Sequence, residues 1–208
     1  HLCDRRQRQM CIRDRFLAIM IILAVTPLGF IPIGPINATT MHIPVIIASI
    51  VLGPRIGAGL GAVFGVISLA RATIVITPMS FVFSPFIANP LTNQGDWRAI
   101  IVAIIPRILI GVVPYFVYKG LHTLMKQKAR PVSLFIAGLA GSMTNTILVM
   151  NLIFFFFKDS YANVLQVTAA TVYSVILGII FGSGLVEAAV AGIATMAICA
   201  VLLRLMKK

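Results

Sequence analysis

Charged residues are scarce in this chain of 208 residues, because only 11% are charged and only five are Asp or Glu. Hydrophobic residues make up 60% of the chain, whereas soluble domains contain roughly 45–50%. This composition disfavours a water-soluble globule and indicates an integral membrane protein. The 17 Lys and Arg residues give a net charge of +12. We attribute this charge to contact with a lipid bilayer and expect no nucleic-acid partner.

The chain also lacks the motifs that carry common enzyme chemistry. No Gly is followed by Lys, so a phosphate-binding loop of the P-loop type is absent. Paired carboxylates, an H-E-x-x-H helix and a nucleophile elbow are absent as well. Cys3, Cys11 and Cys199 do not have the spacing of a metal site. We therefore expect no catalytic residue, no metal and no cofactor.

The apolar segments predict an all-α integral membrane bundle of six transmembrane helices, since one span needs about 20 apolar residues. The predicted spans are residues 16–33, 43–52, 56–76, 97–118, 132–157 and 185–203. Residues 77–96 contain three prolines and predict a long ordered loop. Residues 164–181 are expected to form an outer hairpin or half-helix, and the alternative is that they cross the membrane as a seventh span. Residues 1–15 are interpreted as a basic leader outside the fold, and residues 16–208 as a single membrane domain.

The distribution of basic residues predicts the orientation of this bundle. With six spans, 13 of the 17 basic residues fall on the side that holds both termini and the connector at residues 119–130. The positive-inside rule assigns that side to the cytoplasm. We therefore expect a multi-pass protein of a prokaryotic plasma membrane with both termini cytoplasmic.

Polar residues in the outer half of the bundle predict a binding vestibule. Arg107 follows Trp97 by ten residues, which places it about 15 Å into a hydrocarbon core of ~30 Å. A charge at this depth marks a ligand path or pairs with an acid; Glu187 is the candidate acid, and both interpretations stay open. The other candidate ligand residues are Asn37, Thr40, His42, Arg71, Phe83 and Asn145, although Asn145 could instead join two helices.

Four segments of the chain resemble the substrate-binding S components of energy-coupling-factor (ECF) vitamin transporters. They are PIGPINATTMHIPVIIASIVLGPRIGA at residues 32–58, SFVFSPF at 80–86, IPRILIG at 105–111 and GSMTNT at 141–146. The resemblance covers about residues 16–208. It implies a six-helix subunit of an ABC-type importer that binds a vitamin with high affinity. It also implies as partners a transmembrane coupling subunit and two cytoplasmic ATPases.

The resemblance also bears on the surface that contacts these partners. The family's docking helix often carries two alanines four residues apart in the first span, whereas here Ile22 follows Ala18 at that distance. Gly57, Gly61 and Gly65 recur every four residues and place three bare backbones on one helix face. We therefore name Ala18 and this glycine row as candidates for partner docking, with helix packing as the alternative for the row.

The candidate residues also indicate the substrate. A buried guanidinium favours an anionic ligand, because a carboxylate can accept two hydrogen bonds from it. The short polar side chains suit hydroxyls and an amide. Pantothenate has these groups, and the segment at residues 32–58 looks most like pantothenate-type members of the family. The alternatives are an S component for another vitamin, such as riboflavin, and a membrane scaffold without a transport role.

Overall fold

The structure is a computed structural model that describes residues 2–26, 29–33, 36–124, 130–168 and 170–205. Apart from one short hairpin, the regular elements of these residues are helical, as the sequence predicts. The helices are α1 (Leu2–Val25), α2 (His42–Leu52), α3 (Pro54–Ile74), α4 (Arg98–Ile110), α5 (Val113–Leu124), α6 (Arg130–Leu165), α7 (Val172–Ile179) and α8 (Leu185–Leu205).

Among the described residues, four helical segments are long and apolar enough to cross a bilayer: Pro54–Ile74, Arg98–Leu124, Pro131–Leu165 and Val172–Arg204. The apolar helix α2 has only 11 residues, which is shorter than a full span. These lengths fit a membrane bundle. The number of six spans and the cytoplasmic location of the termini stay predictions.

Helix α1 and the hairpin that follows it correct the predicted first span. The helix begins within the basic leader and ends at Val25, and the chain then forms an antiparallel hairpin of β1 (Phe30–Ile33) and β2 (Ile36–Thr39). A helix cannot continue to residue 33 because Pro27 and Pro32 have no N–H to donate. Phe16 and Met20 of α1 are buried in the core. The exclusion of residues 1–15 from the functional fold stays a prediction.

The turn between α2 and α3 brings α3 back along α2. Gly53 has a φ of +95°, which only glycine adopts readily, and Pro54 occupies the first turn of α3, a position where its missing N–H costs nothing. Cluster 1 of the apolar core then forms where α1, α2 and α3 meet, around Met20, Val45 and Phe64.

The glycine row packs α3 against α4, which corrects its assignment to partner docking. Gly57, Gly61 and Gly65 are buried. A methyl group at Gly61 would overlap the carbonyl oxygen of Arg107, and one at Gly57 would overlap that of Gly111. The absent side chains therefore allow the two backbones to touch, and the row faces a helix of the same chain. Ala18, the other docking candidate, is exposed on α1.

Two helix boundaries also differ from the prediction. Helix α6 does not end at residue 157: it bends there, where Phe157 has non-helical dihedral angles (φ −129°, ψ 20°), and continues to Leu165. Its continuation is favoured because Ser160, Tyr161 and Ala162 are buried. Residues 166–168 and 170–171 lie between α6 and α7, and a π-helical segment, Ile180–Gly184, joins α7 to α8. The last long helix therefore begins at residue 172, not at 185.

The proline-rich segment at residues 77–96 is an ordered loop, as predicted, and its only helical turn is a 3₁₀ turn at Ser80–Val82. Phe81 and Val82 are buried. They join cluster 2 of the core, which includes residues of α4, α6 and α7 and contains an edge-to-face contact between Phe81 and Phe157. The loop is thus held over one end of the bundle.

Candidate functional site

A cavity of about 540 Å³ lies at the end of the bundle that the loop covers. Its walls come from the end of α3, the loop, α4, the second half of α6, the π-helical segment and the start of α8. The volume falls within the range of roughly 300–1,000 Å³ that is typical of small-molecule sites. The polar residues that line it are Thr39, Ser68, Arg71, Thr77, Ser80, Arg107, Asn145, Thr146, Tyr161, Ser183 and Glu187.

Arg107 is held in this cavity by a proline next to it. Pro106 lies inside α4 and has no N–H, so the carbonyl of Val102, four residues earlier, lacks its usual helical donor. The Nη1 of Arg107 donates a hydrogen bond of 2.7 Å to that carbonyl. The Arg107 side chain therefore replaces the backbone donor that Pro106 lacks, and the same hydrogen bond orients the guanidinium.

The remainder of the Arg107 guanidinium is available to a ligand. Only 5% of the residue is exposed. Its Cζ lies 5.1 Å from the ring centroid of Phe83 and 5.7 Å from that of Phe64, distances at which an aromatic face attracts a cation. Its Nε has no hydrogen-bond partner among the described residues. A carboxylate placed in the cavity would supply the missing acceptor.

The alternative of an ion pair between Arg107 and Glu187 is not what the structure shows. Both side chains line the cavity, but none of their N and O atoms approach within 4.0 Å of each other. The Glu187 carboxylate is bound instead by the hairpin: the backbone N–H of Thr39 donates to its Oε1 at 2.8 Å, and the Thr39 hydroxyl donates at 3.3 Å. The cavity therefore holds a cation and an anion that are not joined.

Three further polar atoms in the cavity wall are buried and lack a hydrogen-bond partner among the described residues. They are the Ser68 Oγ, the Asn145 Oδ1 and the Tyr161 hydroxyl. A buried polar group without a partner costs about 1–3 kcal/mol, and native proteins contain few of them. Their convergence on one cavity indicates a site whose hydrogen bonds are completed by a polar ligand.

The structure brings together some of the predicted ligand residues. Arg71, Phe83, Arg107 and Asn145 line the cavity. Arg71 also donates to the Ala24 carbonyl at the end of α1 (3.2 Å), so it links two helices at the edge of the site.

The other predicted residues either do not line the cavity or have side chains outside the described part of the structure. Thr40 does not line the cavity, although its neighbour Thr39 does. His42 is only 1% exposed at the start of α2, and its Nδ1 lies 3.6 Å from the Oε1 of Glu187. This histidine supports the wall from behind. The side chain of Asn37 lies outside the described residues.

Sequence reasoning missed Ser68 and Tyr161, and helical spacing contains a signal for Ser68. Ser68 lies three residues before Arg71, on the same helix face. Tyr161 lies 16 residues after Asn145 on α6, which is about 160° around a straight helix, yet both line the cavity because α6 bends at Phe157 between them. Tyr161 escaped prediction because the span was expected to end at residue 157.

Comparison with known proteins identifies the kind of molecule that carries this cavity. Residues 16–199 match the family described as "ECF transporter, substrate-specific component". This chain belongs to that family. The assignment confirms the resemblance that the four sequence segments predict. The chain is therefore a transporter component, and its family is not a family of enzymes. The scaffold alternative is left without support.

Two relatives of this S component have assigned substrates. The pantothenic acid transporter PanT of Lactococcus lactis subsp. cremoris is 41% identical over 181 residues, which cover 83% of this chain and 89% of that protein. The pantothenate transporter PanT of Leuconostoc mesenteroides subsp. mesenteroides is 32% identical over 117 residues, which cover 54% of this chain and 51% of that protein.

Proposed function

We propose that this S component is the high-affinity pantothenate-binding subunit of an ECF-type importer in a prokaryotic plasma membrane. The observation that carries the proposal is the cavity at Arg107, where the guanidinium Nε and three neutral polar groups lack hydrogen-bond partners in the described part of the chain. The name of the Lactococcus relative, which aligns over most of both chains, supports the same substrate.

The chemistry of pantothenate suits the lining of this cavity. Its carboxylate would accept hydrogen bonds from Arg107, which a guanidinium makes in a bidentate manner. Its amide and two hydroxyls would complete the hydrogen bonds of Ser68, Asn145 and Tyr161. Its branched carbon chain would contact the apolar walls formed by Val149, Met150, Ile153 and Val82.

The location of the cavity supports capture from outside the cell. It lies at the end of the bundle formed by the carboxyl end of α3 and the second half of α6. Arg55, Lys119 and Arg204 lie toward the opposite ends of their helices. If that basic end is cytoplasmic, as the positive-inside rule requires, the cavity opens toward the exterior. Transport would then depend on a transmembrane coupling subunit and two cytoplasmic ATPases.

A thermal-shift experiment with a panel of vitamins tests the substrate. The purified protein in detergent is heated with pantothenate, riboflavin or another vitamin in excess. A ligand at 100 times its Kd stabilises the folded state by about 2.7 kcal/mol, so pantothenate is expected to raise the melting temperature. A response to riboflavin without a response to pantothenate would assign another substrate, and no response to any vitamin would remove the proposal.

A further inference from the structure

Glu187 presents an oxygen to the cavity that no part of the described chain uses. The residue lies in the first turn of α8 and lines the cavity. Its contacts converge on one atom, Oε1, which accepts from the Thr39 N–H at 2.8 Å and the Thr39 hydroxyl at 3.3 Å, while the Nδ1 of His42 lies 3.6 Å away. The second oxygen, Oε2, receives no hydrogen bond from the described residues.

The anchoring of Oε1 explains why Oε2 remains available. Thr39 is the last residue of β2 and His42 the first of α2, so Oε1 is hydrogen-bonded to the end of the hairpin and lies near the start of the next helix. A carboxylate offers acceptor positions on both oxygens. With Oε1 occupied and Arg107 more than 4.0 Å away, Oε2 needs a donor that comes from elsewhere.

The cavity of about 540 Å³ is therefore lined by both a cationic pole, Arg107, and an anionic pole, Glu187. A ligand that is anionic throughout would meet repulsion at Glu187, and a cationic ligand would meet it at Arg107. A ligand with a carboxylate at one end and neutral hydrogen-bond donors at the other satisfies both poles.

We infer that Glu187 is a specificity-determining residue that accepts a hydrogen bond from a ligand hydroxyl through Oε2. The inference rests on the proposed function, because pantothenate carries its two hydroxyls at the end of the molecule opposite its carboxylate. Glu187 thus selects hydroxylated acids over plain acids of the same shape, whereas Arg107 selects acids over neutral molecules.

The test compares two ligands on two proteins by isothermal titration calorimetry. The ligands are pantothenate and its dideoxy analogue, which keeps the carboxylate, the amide and the branched chain but lacks both hydroxyls. The proteins are the unchanged chain and Glu187→Gln. The glutamine retains an oxygen for Thr39, but its uncharged amide NH₂ can only donate to a hydroxyl, so the hydrogen bond from the hydroxyl to a charged acceptor is lost.

Glu187→Gln is expected to weaken pantothenate binding about tenfold to a hundredfold, the value of one hydrogen bond to a charged group, and to leave the dideoxy analogue within about twofold. Equal weakening of both ligands would overturn the inference, since Glu187 would then act only as an anchor for the hairpin. Thr39→Val is the matched control, because it removes one anchoring contact and is expected to affect both ligands alike.

Binding by the unchanged protein distinguishes failure of this inference from failure of the proposed function. In the unchanged protein, the dideoxy analogue is expected to bind more weakly than pantothenate, and equal affinity would overturn the inference even if Glu187→Gln does not fold. If the unchanged protein does not bind pantothenate at all, the proposed function fails. If it binds pantothenate and Glu187→Gln changes nothing, only the role of Glu187 fails.

Discussion

At the scale of single residues, Arg107 carries the largest predicted effect on binding. Replacing it with Ala removes a buried guanidinium from the cavity wall, whereas the guanidinium of Arg71 is hydrogen-bonded to the Ala24 carbonyl of α1. Truncating one partner of a buried charge pair typically costs about 2–5 kcal/mol. We expect Arg107→Ala to weaken pantothenate binding by that amount in calorimetric titrations.

Arg98→Ala is the matched control for this change. Arg98 begins the same helix but is exposed, and its Cζ lies 5.9 Å from the ring centroid of Phe156. Exposed substitutions of this kind usually change stability by less than about 0.5 kcal/mol. Unchanged affinity in Arg107→Ala together with a large fall in its melting temperature would show that Arg107 serves only the helix, through its bond to the Val102 carbonyl.

Tyr161 yields a prediction with opposite signs for binding and stability. Its hydroxyl is buried and has no partner in the described part of the chain. Tyr161→Phe removes this unpaired group, so the ligand-free protein is expected to keep or raise its melting temperature. Pantothenate binding is expected to weaken by about 0.5–1.5 kcal/mol, the net value of one hydrogen bond.

The control for Tyr161 is Tyr173→Phe. Tyr173 packs edge-to-face on Phe154 outside the cavity and is 45% exposed, so its hydroxyl is expected to matter little for either measurement. A Tyr161→Phe protein that binds as tightly as the unchanged one would exclude the hydroxyl from ligand contact. A marked loss of stability would mean that it has a partner within the protein.

At the scale of helices and strands, the contact between α3 and α4 links packing to the site. A methyl group at Gly61 would overlap the carbonyl oxygen of Arg107, and overpacking of this kind typically costs about 1–3 kcal/mol. We expect Gly61→Ala to lower the melting temperature and, because the displaced residue is Arg107, to weaken pantothenate binding as well.

Gly59 provides the comparison on the same helix. A methyl group there meets no atom within 4 Å, so Gly59→Ala tests helix propensity alone. Alanine is favoured over glycine by up to about 1 kcal/mol within a helix, and this variant is expected to be as stable as the unchanged protein or more so. Similar melting temperatures for the two variants would contradict the close contact between α3 and α4.

Counting residues along the sequence predicts part of the site. Contacts between segments that are distant in the sequence cannot be predicted in this way. The depth of Arg107 in the membrane is predicted by counting residues from Trp97, and the structure places its side chain in the cavity wall. The glycine row is equally visible, but its spacing cannot reveal which helix packs on it. The structure shows that this helix is α4, where Gly111 and Arg107 approach most closely.

The segments that the sequence misassigned share a physical cause. The hairpin consists of two strands of four residues each, too short for an alternating pattern to be distinguished from a polar loop. Gly182, Ser183 and Gly184 suggested a break before the last span, yet they form a π-helical segment that continues the helix. Segments of this kind are frequent at functional sites, and here Ser183 and Gly184 line the cavity.

At the scale of the whole molecule, the proposed orientation predicts which loops face outward. Gln94 precedes α4 and Thr123 lies near the end of α5, and both are exposed. The segment Arg98–Leu124 between them has 27 residues, which extend over about 40 Å in a helix. Single cysteines at positions 94 and 123 should therefore lie on opposite sides of the membrane.

Labelling of intact cells measures this difference. In a background from which Cys3, Cys11 and Cys199 have been removed, an impermeant thiol reagent is expected to modify the cysteine at position 94 and to spare that at position 123 until the cells are opened. Equal labelling of the two in intact cells would contradict the orientation, and labelling of position 123 alone would reverse it.

The last prediction concerns the energy for transport. The proposed function assigns the use of ATP to separate subunits, and this chain contains no P-loop motif. Its intramembrane acid, Glu187, is bound to the hairpin through Thr39, which leaves too few groups for an obvious ion-driven relay. Proteoliposomes with this protein alone are therefore expected to bind pantothenate without accumulating it, and to accumulate it once a coupling subunit and two ATPases are added with ATP. Accumulation against a gradient by the protein alone would show that the chain contains its own driving mechanism.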